Sequence, residues 1–358
     1  MATNSTHLVW GNTSPTYDFL VTAGYRHRSE LSTLDRDFAL PSFTDNPQGG
    51  FSSFSNPGVY QLLNATRTAP IGAFRDPACG TLGGVETGAG NNVGCQFQIT
   101  QFDNLVEREE IYNVFAEINK QLGSANLHLE AYYAAHDTPE ENSSPSYAPV
   151  QGPGASPTNP ANAPNYFIPL TNPGLAALLP ALTPAQRAAI TAAGGVLASG
   201  LQWRPFGLGG NPLTGEGKQD KRSFDSFRVS GALDGELKGI GWNVALTYSE
   251  SKRDASTPDI LVAKLDRALR GFGGPNCTGT IPGSAANGCA YLNPFSTGIA
   301  VNPALGLTNP ALGGGGTFVA STVNDLAVVR DLFTRNAFDD TSALTVFDVV
   351  FNRAPLPW

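Results

Sequence analysis

The sequence predicts an all-β fold, an antiparallel meander of about seven strands that forms part of a transmembrane β-barrel with long extracellular loops carrying short helices. Three features support this fold class. Long stretches alternate apolar with polar residues, short turns join these stretches in pairs, and long Gly- and Pro-rich segments separate the pairs. The 358 residues include 40 Gly and 27 Pro, and only 15% are charged, against roughly a quarter in soluble domains.

The clearest pair is a predicted β-hairpin around the turn Gly123-Ser124. On both sides of this turn every second residue is apolar or small, which is typical of strands. These residues are Tyr112, Val114, Ala116 and Ile118 before the turn, and Leu127, Leu129, Ala131, Tyr133 and Ala135 after it. Each arm is about ten residues long, which suits a bilayer crossing of about 9–11 residues better than a soluble strand of about five or six.

Other segments show the same alternation. Further strands are predicted at His7–Trp10, Tyr17–Arg28, Phe227–Leu237, Trp242–Ser249 and Ser342–Phe351. The third and fourth of these form a second hairpin around Lys238-Gly239-Ile240. Trp242 and Tyr248 lie near the two ends of its apolar row, where outer-membrane barrels carry aromatic girdles.

Three long connections alternate with the short turns. They cover about 31–105, 137–221 and 253–341, and we expect them to be structureless apart from short helices at 184–193, 258–270 and 323–333. Short turns at one end of the strands and long loops at the other are typical of outer-membrane barrels. No transmembrane helix is predicted, because prolines interrupt the most apolar window at 175–200. The start of the chain lacks the pattern of a signal peptide.

The four cysteines form two pairs that each lie within one connection. An even number in an exported chain favours local disulfides, Cys79–Cys95 and Cys277–Cys289, over the alternative of free thiols. Neither pair has the CxxC-type spacing of a zinc site. No metal or other cofactor is predicted.

The polar positions of the strands are predicted to face the barrel lumen. They include Arg26, Glu117, His128, Glu130, Arg228 and Glu236. One interpretation is that these residues, together with Arg28, form ion pairs across the lumen. The other is that they are simply solvated on a water-facing wall. A further hypothesis is a metal site at His128, Glu130 and His136. A water-facing wall without a metal is favoured over it.

Four aromatic residues of the long connections are candidates for ligand binding. They are Trp203, Phe206, Tyr291 and Phe295, beside Asn and Gly. Such rings stack on sugars or siderophores. The alternative, that they pin the long loops to each other, is favoured.

Several segments resemble the TonB-dependent outer-membrane receptors. They are GYRHRSEL (24–31), FDNLVEREE (102–110), FIPLTNPGLAALL (167–179), WRPFGLGGNP (203–212) and CAYLNPFSTG (289–298). The resemblance implies uptake of a scarce nutrient, such as a siderophore, vitamin or carbohydrate, across the bacterial outer membrane. It also implies a barrel of about 22 strands around a plug. Residues 1–358 are interpreted as an internal part of the barrel domain. Its partners would be outer-membrane lipid, the nutrient and, through the plug region, the inner-membrane TonB energy-coupling complex.

Two other classes of function remain open. One is a surface adhesin or structural outer-membrane protein that binds partners through its long loops. The other is a secreted carbohydrate-active enzyme, for which the sequence shows no nucleophile–His–Asp arrangement or phosphate-binding loop, so no enzyme is predicted. A formal charge of -8 without a basic run argues against binding to nucleic acid.

Overall fold

A computed structural model describes residues 2–145, 147, 151–154, 164–200, 202–207, 210–299 and 317–353. The fold is mostly antiparallel β. The strands in chain order are β1 (Thr3–Thr13), β2 (Tyr17–Arg28), β3 (Leu31–Ser32), β4 (Phe51–Ser52), β5 (Val59–Leu63), β6 (Pro70–Arg75), β7 (Val85–Ala89), β8 (Asn92–Gln98), β9 (Asn104–Val106), β10 (Glu109–Leu122), β11 (Ala125–Ser143), β12 (Asn165–Pro169), β13 (Gly195–Ser199), β14 (Lys218–Leu237), β15 (Ile240–Ile260) and β16 (Phe333–Arg353). Four α-helices accompany them: α1 (Pro173–Leu178), α2 (Pro184–Ala193), α3 (Val262–Leu269) and α4 (Leu326–Leu332).

Seven of these strands form one long sheet. Its order is β1-β2-β10-β11-β14-β15-β16, and every neighbouring pair is antiparallel. The predicted meander of about seven strands is therefore confirmed. Among the described residues the sheet does not close, because β1 and β16 each pair on one side only.

The last strands of the long sheet are longer than the sequence indicates. β16 begins at Phe333 rather than Ser342, and β15 continues to Ile260 through Pro258, where a helix had been expected to begin. Proline lacks the N–H of a ladder hydrogen bond and is tolerated where one edge of a strand is open. Pairing of β15 with β14 ends at Ser256, so Pro258 lies where β15 pairs only with β16. The predicted helix at 258–270 therefore begins at Val262.

The register brings the apolar rows of the strands onto one face of the long sheet. Residues directly opposite each other on paired strands point to the same side. One such row is Phe19, Ile118, Leu129, Gly231, Leu246 and Phe347. The next row is Trp10, Val21, Ala116, Ala131, Val229 and Tyr248. We call this side the apolar face and the other side the polar face.

The strands of the long sheet differ greatly in length. β1, β2 and β10 have 11, 12 and 14 residues, whereas β11, β14, β15 and β16 have 19, 20, 21 and 21. At about 3.3 Å per residue the longest reach roughly 70 Å. They therefore extend well beyond the apolar rows, toward the three long connections.

The three connections fold together, in contrast to the expectation that they are structureless. We call residues 29–108, 144–217 and 261–332 the loop domain, within the described ranges. It contains a four-stranded sheet, β12-β13-β5-β6, that joins strands of the first two connections. The main hydrophobic core lies here, and the long sheet contributes to it only Ile260 and the partly buried Phe333, at the tips of β15 and β16. This core is assembled from contacts between distant segments, which local alternation does not reveal.

The helices are short, and the longest, α2, has 10 residues. α2 begins as predicted with a capping box, in which Thr183 and Gln186 bond each other's backbone N–H groups, and it ends at the left-handed Gly194. α4 lies within the predicted segment 323–333. Among the described residues, no helix combines the length and the apolar character that a membrane span requires.

Both predicted disulfides are confirmed. Cys79 and Cys95 are joined with Cα atoms 5.9 Å apart, and Cys277 and Cys289 with Cα atoms 4.4 Å apart. The first bond lies in a small second core with Ala78, Leu82 and Phe97. Each bond therefore closes a short stretch of chain within the loop domain, and the first ties Cys79 to β8.

Candidate functional site

The polar face carries a hydrogen-bonded network across three neighbouring strands. Its centre is His128 on β11, whose Nδ1 lies 2.6 Å from Asn119 Oδ1 and whose Nε2 lies 3.1 Å from Glu130 Oε1. Arg228 on β14 donates to Glu130 Oε2 at 2.7 Å. Glu117 on β10 lies 3.8 Å from the His128 ring. The strand register brings these groups together, because Glu117 is opposite Glu130 and Asn119 is opposite His128.

A second cluster lies on the same face near the loop domain. Glu109, which is buried, accepts one hydrogen bond from Arg26 and one from Arg28, each at 2.5 Å. The Nε2 atom of His136 lies 3.8 Å from the same carboxylate. Glu109 is the first residue of β10 and lies opposite Arg28 of β2. One carboxylate therefore compensates two guanidinium groups.

The predicted lumen-facing residues share one side of the sheet. The register and alternation place Arg26, Glu117, His128, Glu130, Arg228 and Glu236 on the polar face. Arg26, His128 and Arg228 each lie beside a carboxylate on a neighbouring strand, and His128 also lies beside Glu130 on its own strand. Glu236 makes no ion pair with a described residue. The metal hypothesis gains no support, because His136 lies beside Glu109 rather than His128. No group of three or more His, Cys, Asp or Glu suited to a metal ion occurs in the described part of the chain.

The aromatic candidates for ligand binding are packed inside the loop domain. Trp203, Phe206 and Phe295 are buried, and Phe295 lies 4.5 Å from Tyr60 between ring centroids. Tyr291 is half-buried, lies against Gly271, and donates to Thr171 at 2.9 Å. These contacts agree with the alternative interpretation, in which the four aromatic residues hold the long loops to each other. The prediction that Trp203, Phe206 and Phe295 stack on a ligand is therefore wrong, because the protein covers their rings.

Buried polar side chains join the three connections to each other. Asp76 accepts hydrogen bonds from the backbone N–H and the hydroxyl of Ser296, at 3.0 and 2.5 Å. Its complete burial raises the pKa of its carboxyl group, and the hydrogen bonds from Ser296 oppose that rise. Asn172 donates to the carbonyls of Leu269 and Leu292 at 3.1 and 2.9 Å. The first and second connections are thus both tied to the third.

Two carboxylates lie close together where the first connection meets β10. Burial, and secondly the charge of Glu107, raise the pKa of Asp103 to about 6. Burial also raises the pKa of Glu107, which accepts hydrogen bonds from Asn104 and from the backbone of Asn142. The stability of this junction is therefore sensitive to mildly acidic pH.

Sequence reasoning did not single out Glu109, Asp76 or Arg204. Glu109 lies four residues before Asn113 on the same face of β10, beside Arg26 and Arg28, but Glu110 and Ile111 interrupt the alternation between them. No pattern in the neighbouring sequence marks Asp76 or Arg204 as a functional residue. They gain their environments from residues far away along the chain.

No known family, curated protein or solved structure that was compared with this chain matches it. Its function is therefore inferred from the two faces of the long sheet and from the loop domain.

Proposed function

We propose that this chain forms part of the barrel wall and the extracellular loop domain of a TonB-dependent receptor that takes up a scarce nutrient across the bacterial outer membrane. The observation that carries the proposal is the division of the long sheet into two faces. One face is a continuous apolar band, and the other is a network of charges and amides. Lipid on one side and water on the other account for both faces at once.

The apolar face is exposed rather than packed. Leu129, Leu246 and Phe347, which lie in one row, are 41%, 54% and 66% exposed. A soluble protein seldom exposes a contiguous apolar patch of such extent, whereas lipid would cover it. Aromatic residues lie near the ends of the apolar rows of single strands, as at Tyr17 and Tyr25 on β2 and at Trp242 and Tyr248 on β15. From Tyr17 to Tyr25 the strand covers about 27 Å along its axis, which at a tilt of about 35–45° is roughly 20 Å in height, against a band of about 25 Å in outer-membrane barrels.

The loop domain supports the extracellular assignment of the long connections. It contains both disulfides, and disulfides persist in oxidising compartments outside the cytoplasm. The turns at the opposite end, such as Gly123-Ser124 and Lys238-Gly239, are two residues long. Short periplasmic turns and long outer loops are typical of such barrels. The nutrient would be a siderophore, vitamin or carbohydrate, and the TonB energy-coupling complex would act through a plug region outside these residues.

A surface adhesin is the second candidate. The observation that favours it is the folded, disulfide-bonded loop domain, because a rigid outer domain is suited to holding a partner as well as a nutrient. An adhesin and a receptor share the same orientation of the long sheet. Uptake of the nutrient by cells, and its dependence on the energy-coupling complex, distinguish the two.

Spin-label accessibility tests the membrane assignment. A label would be attached to Leu129→Cys on the apolar face or, as the matched control, to His128→Cys, one residue away on the polar face. In the full-length protein in lipid bilayers, we expect the label at 129 to collide with oxygen, which concentrates in lipid. We expect the label at 128 to collide with a water-soluble nickel chelate. Equal access of the chelate to both labels would contradict the proposal.

A further inference from the structure

Arg204 is a buried cation in the loop domain without a carboxylate partner. It is 8% exposed, and it forms no ion pair with a described residue. Its burial lowers the pKa of the guanidinium group. The chain has 30 Asp and Glu against 22 Lys and Arg, so a shortage of acidic residues does not explain the missing partner.

The contacts of Arg204 leave one edge of its guanidinium group unpaired. Nη1 donates to the carbonyl oxygens of Gly200 and Trp203. The ring of Phe54 covers the planar face, with its centroid 4.5 Å from Cζ. Nε is buried and has no hydrogen-bond partner, and Nη2 donates to no described residue. The Nε–Nη2 edge is the pair of donors that holds a carboxylate or phosphate with two parallel hydrogen bonds.

An unpaired acceptor lies in a segment that is hydrogen-bonded to the backbone of residues 204–205. Asn56 is 6% exposed, and its Oδ1 atom is buried without a partner. Its Nδ2 donates to the carbonyl of Pro205 at 3.0 Å, and the backbone N–H of Arg204 donates to the carbonyl of Ser55 at 3.2 Å. These bonds hold residues 55–56 against residues 204–205. At this junction between the first and second connections, two donors and one acceptor thus have no partner among the described residues.

Unpaired groups of this kind are costly. A buried polar group without a hydrogen bond costs about 1–3 kcal/mol, and a buried charge without compensation costs more. The carbonyl contacts of Nη1 offset this only in part, because they are neutral acceptors. An anion that binds the free edge would supply the missing compensation.

We propose that the Nε–Nη2 edge of Arg204 binds the oxyanion of a ligand, a carboxylate or a phosphate, while Asn56 Oδ1 accepts a hydrogen bond from a hydroxyl group of that ligand. Phe54 packs on the planar face of the guanidinium group and shields it from water. Phe54 is itself 43% exposed, so the site lies next to the protein surface. A role in nutrient capture rests on the proposed function, whereas the binding of an anion does not.

Titration calorimetry on the purified full chain in detergent micelles tests the site. The probes are acetate, glycolate and inorganic phosphate, at constant ionic strength in chloride. Glycolate carries the hydroxyl that acetate lacks, so it should bind at least fivefold more tightly than acetate. Glycolate tighter than phosphate identifies a carboxylate ligand, and the reverse order identifies a phosphate.

Two substitutions distinguish the role of the two parallel donors of Arg204 from the role of its positive charge. Arg204→Lys keeps the charge without the two parallel donors and should weaken binding of the tighter probe at least tenfold. Arg204→Gln should abolish it. The matched control is Arg270→Gln, because Arg270 is exposed and pairs with Asp266 at 3.1 Å; its affinity should stay within twofold of the wild type.

Phe54→Ala keeps every hydrogen bond of Arg204 and tests the site even if Arg204→Gln does not fold. It should weaken binding several-fold, because water then reaches the ion pair. Absence of binding of all three probes to the wild type would overturn the proposal, as would unchanged affinity in Arg204→Lys or Phe54→Ala. Failure of the membrane assignment would appear instead in the label at residue 129, so the two outcomes are distinguishable.

Discussion

A charge placed on either side of β11 distinguishes a lipid-facing sheet from a water-facing one. Leu129 lies in the middle of the apolar band, between Ile118 on β10 and Gly231 on β14. If the apolar face meets lipid, Leu129→Arg places a guanidinium near the middle of the bilayer and costs about 2–4 kcal/mol. If the face meets water, the same change costs within about 0.5 kcal/mol, because the side chain is already 41% exposed.

The matched variant is His128→Arg on the polar face. It loses the hydrogen bond to Asn119, but its guanidinium has Glu117 and Glu130 as neighbours. We expect a change within about 1 kcal/mol, because an ion pair with a neighbouring carboxylate offsets the lost hydrogen bond. The assay is urea unfolding of the full-length protein in lipid bilayers. Equal stability of the two variants would refute the assignment of the apolar face to lipid.

Three further predictions concern the loop domain. Asp76→Asn should lower the free energy of unfolding by about 1–3 kcal/mol. The amide has one acceptor oxygen, whereas the carboxylate has two that accept hydrogen bonds from Ser296 and Ala78. An unchanged denaturation midpoint would contradict the role of Asp76 in joining the connections. The folded-state pKa of Asp103, about 6, lies above its usual value, so its contribution to stability is complete below about pH 4 and is lost as the pH rises through about 6. Between about pH 4 and pH 7 the wild type should therefore lose about 1 kcal/mol more than Asp103→Asn, after allowance for solvent screening at this half-buried group, and identical pH profiles would disprove it. Replacing Cys277 and Cys289 by Ser should lower the free energy of unfolding by about 3 kcal/mol, the value that loop entropy gives for a separation of 12 residues. Thermal unfolding of this variant, compared with that of the wild type and the reduced wild type, measures the effect.

The long sheet was largely predictable from the sequence, because each strand carries its own local pattern. Alternation identified both hairpins and the shared face, and the turn residues Gly123 and Gly239 indicated where the chain reverses. The strand extensions were missed, because beyond the apolar band charged residues on the same face, such as Asp254 and Asp339, interrupt the alternation. The loop domain was missed for another reason. Its core joins residues such as Tyr60, Ile190 and Leu292, which are far apart in sequence and lie in segments rich in Gly and Pro. Arg204 and Asn56 became recognisable only when their contacts were known.

The number of strands in the long sheet has a consequence for how it is completed. Because seven strands alternate in direction, the two edge strands β1 and β16 run the same way. If these edges met each other, or met the edges of identical sheets in a ring, each junction would be a parallel pair among antiparallel ones. A cylinder with antiparallel pairs throughout requires an odd number of additional strands between β16 and β1. With antiparallel pairs throughout, the parity of the sheet is therefore incompatible with a cylinder built only from a ring of identical copies.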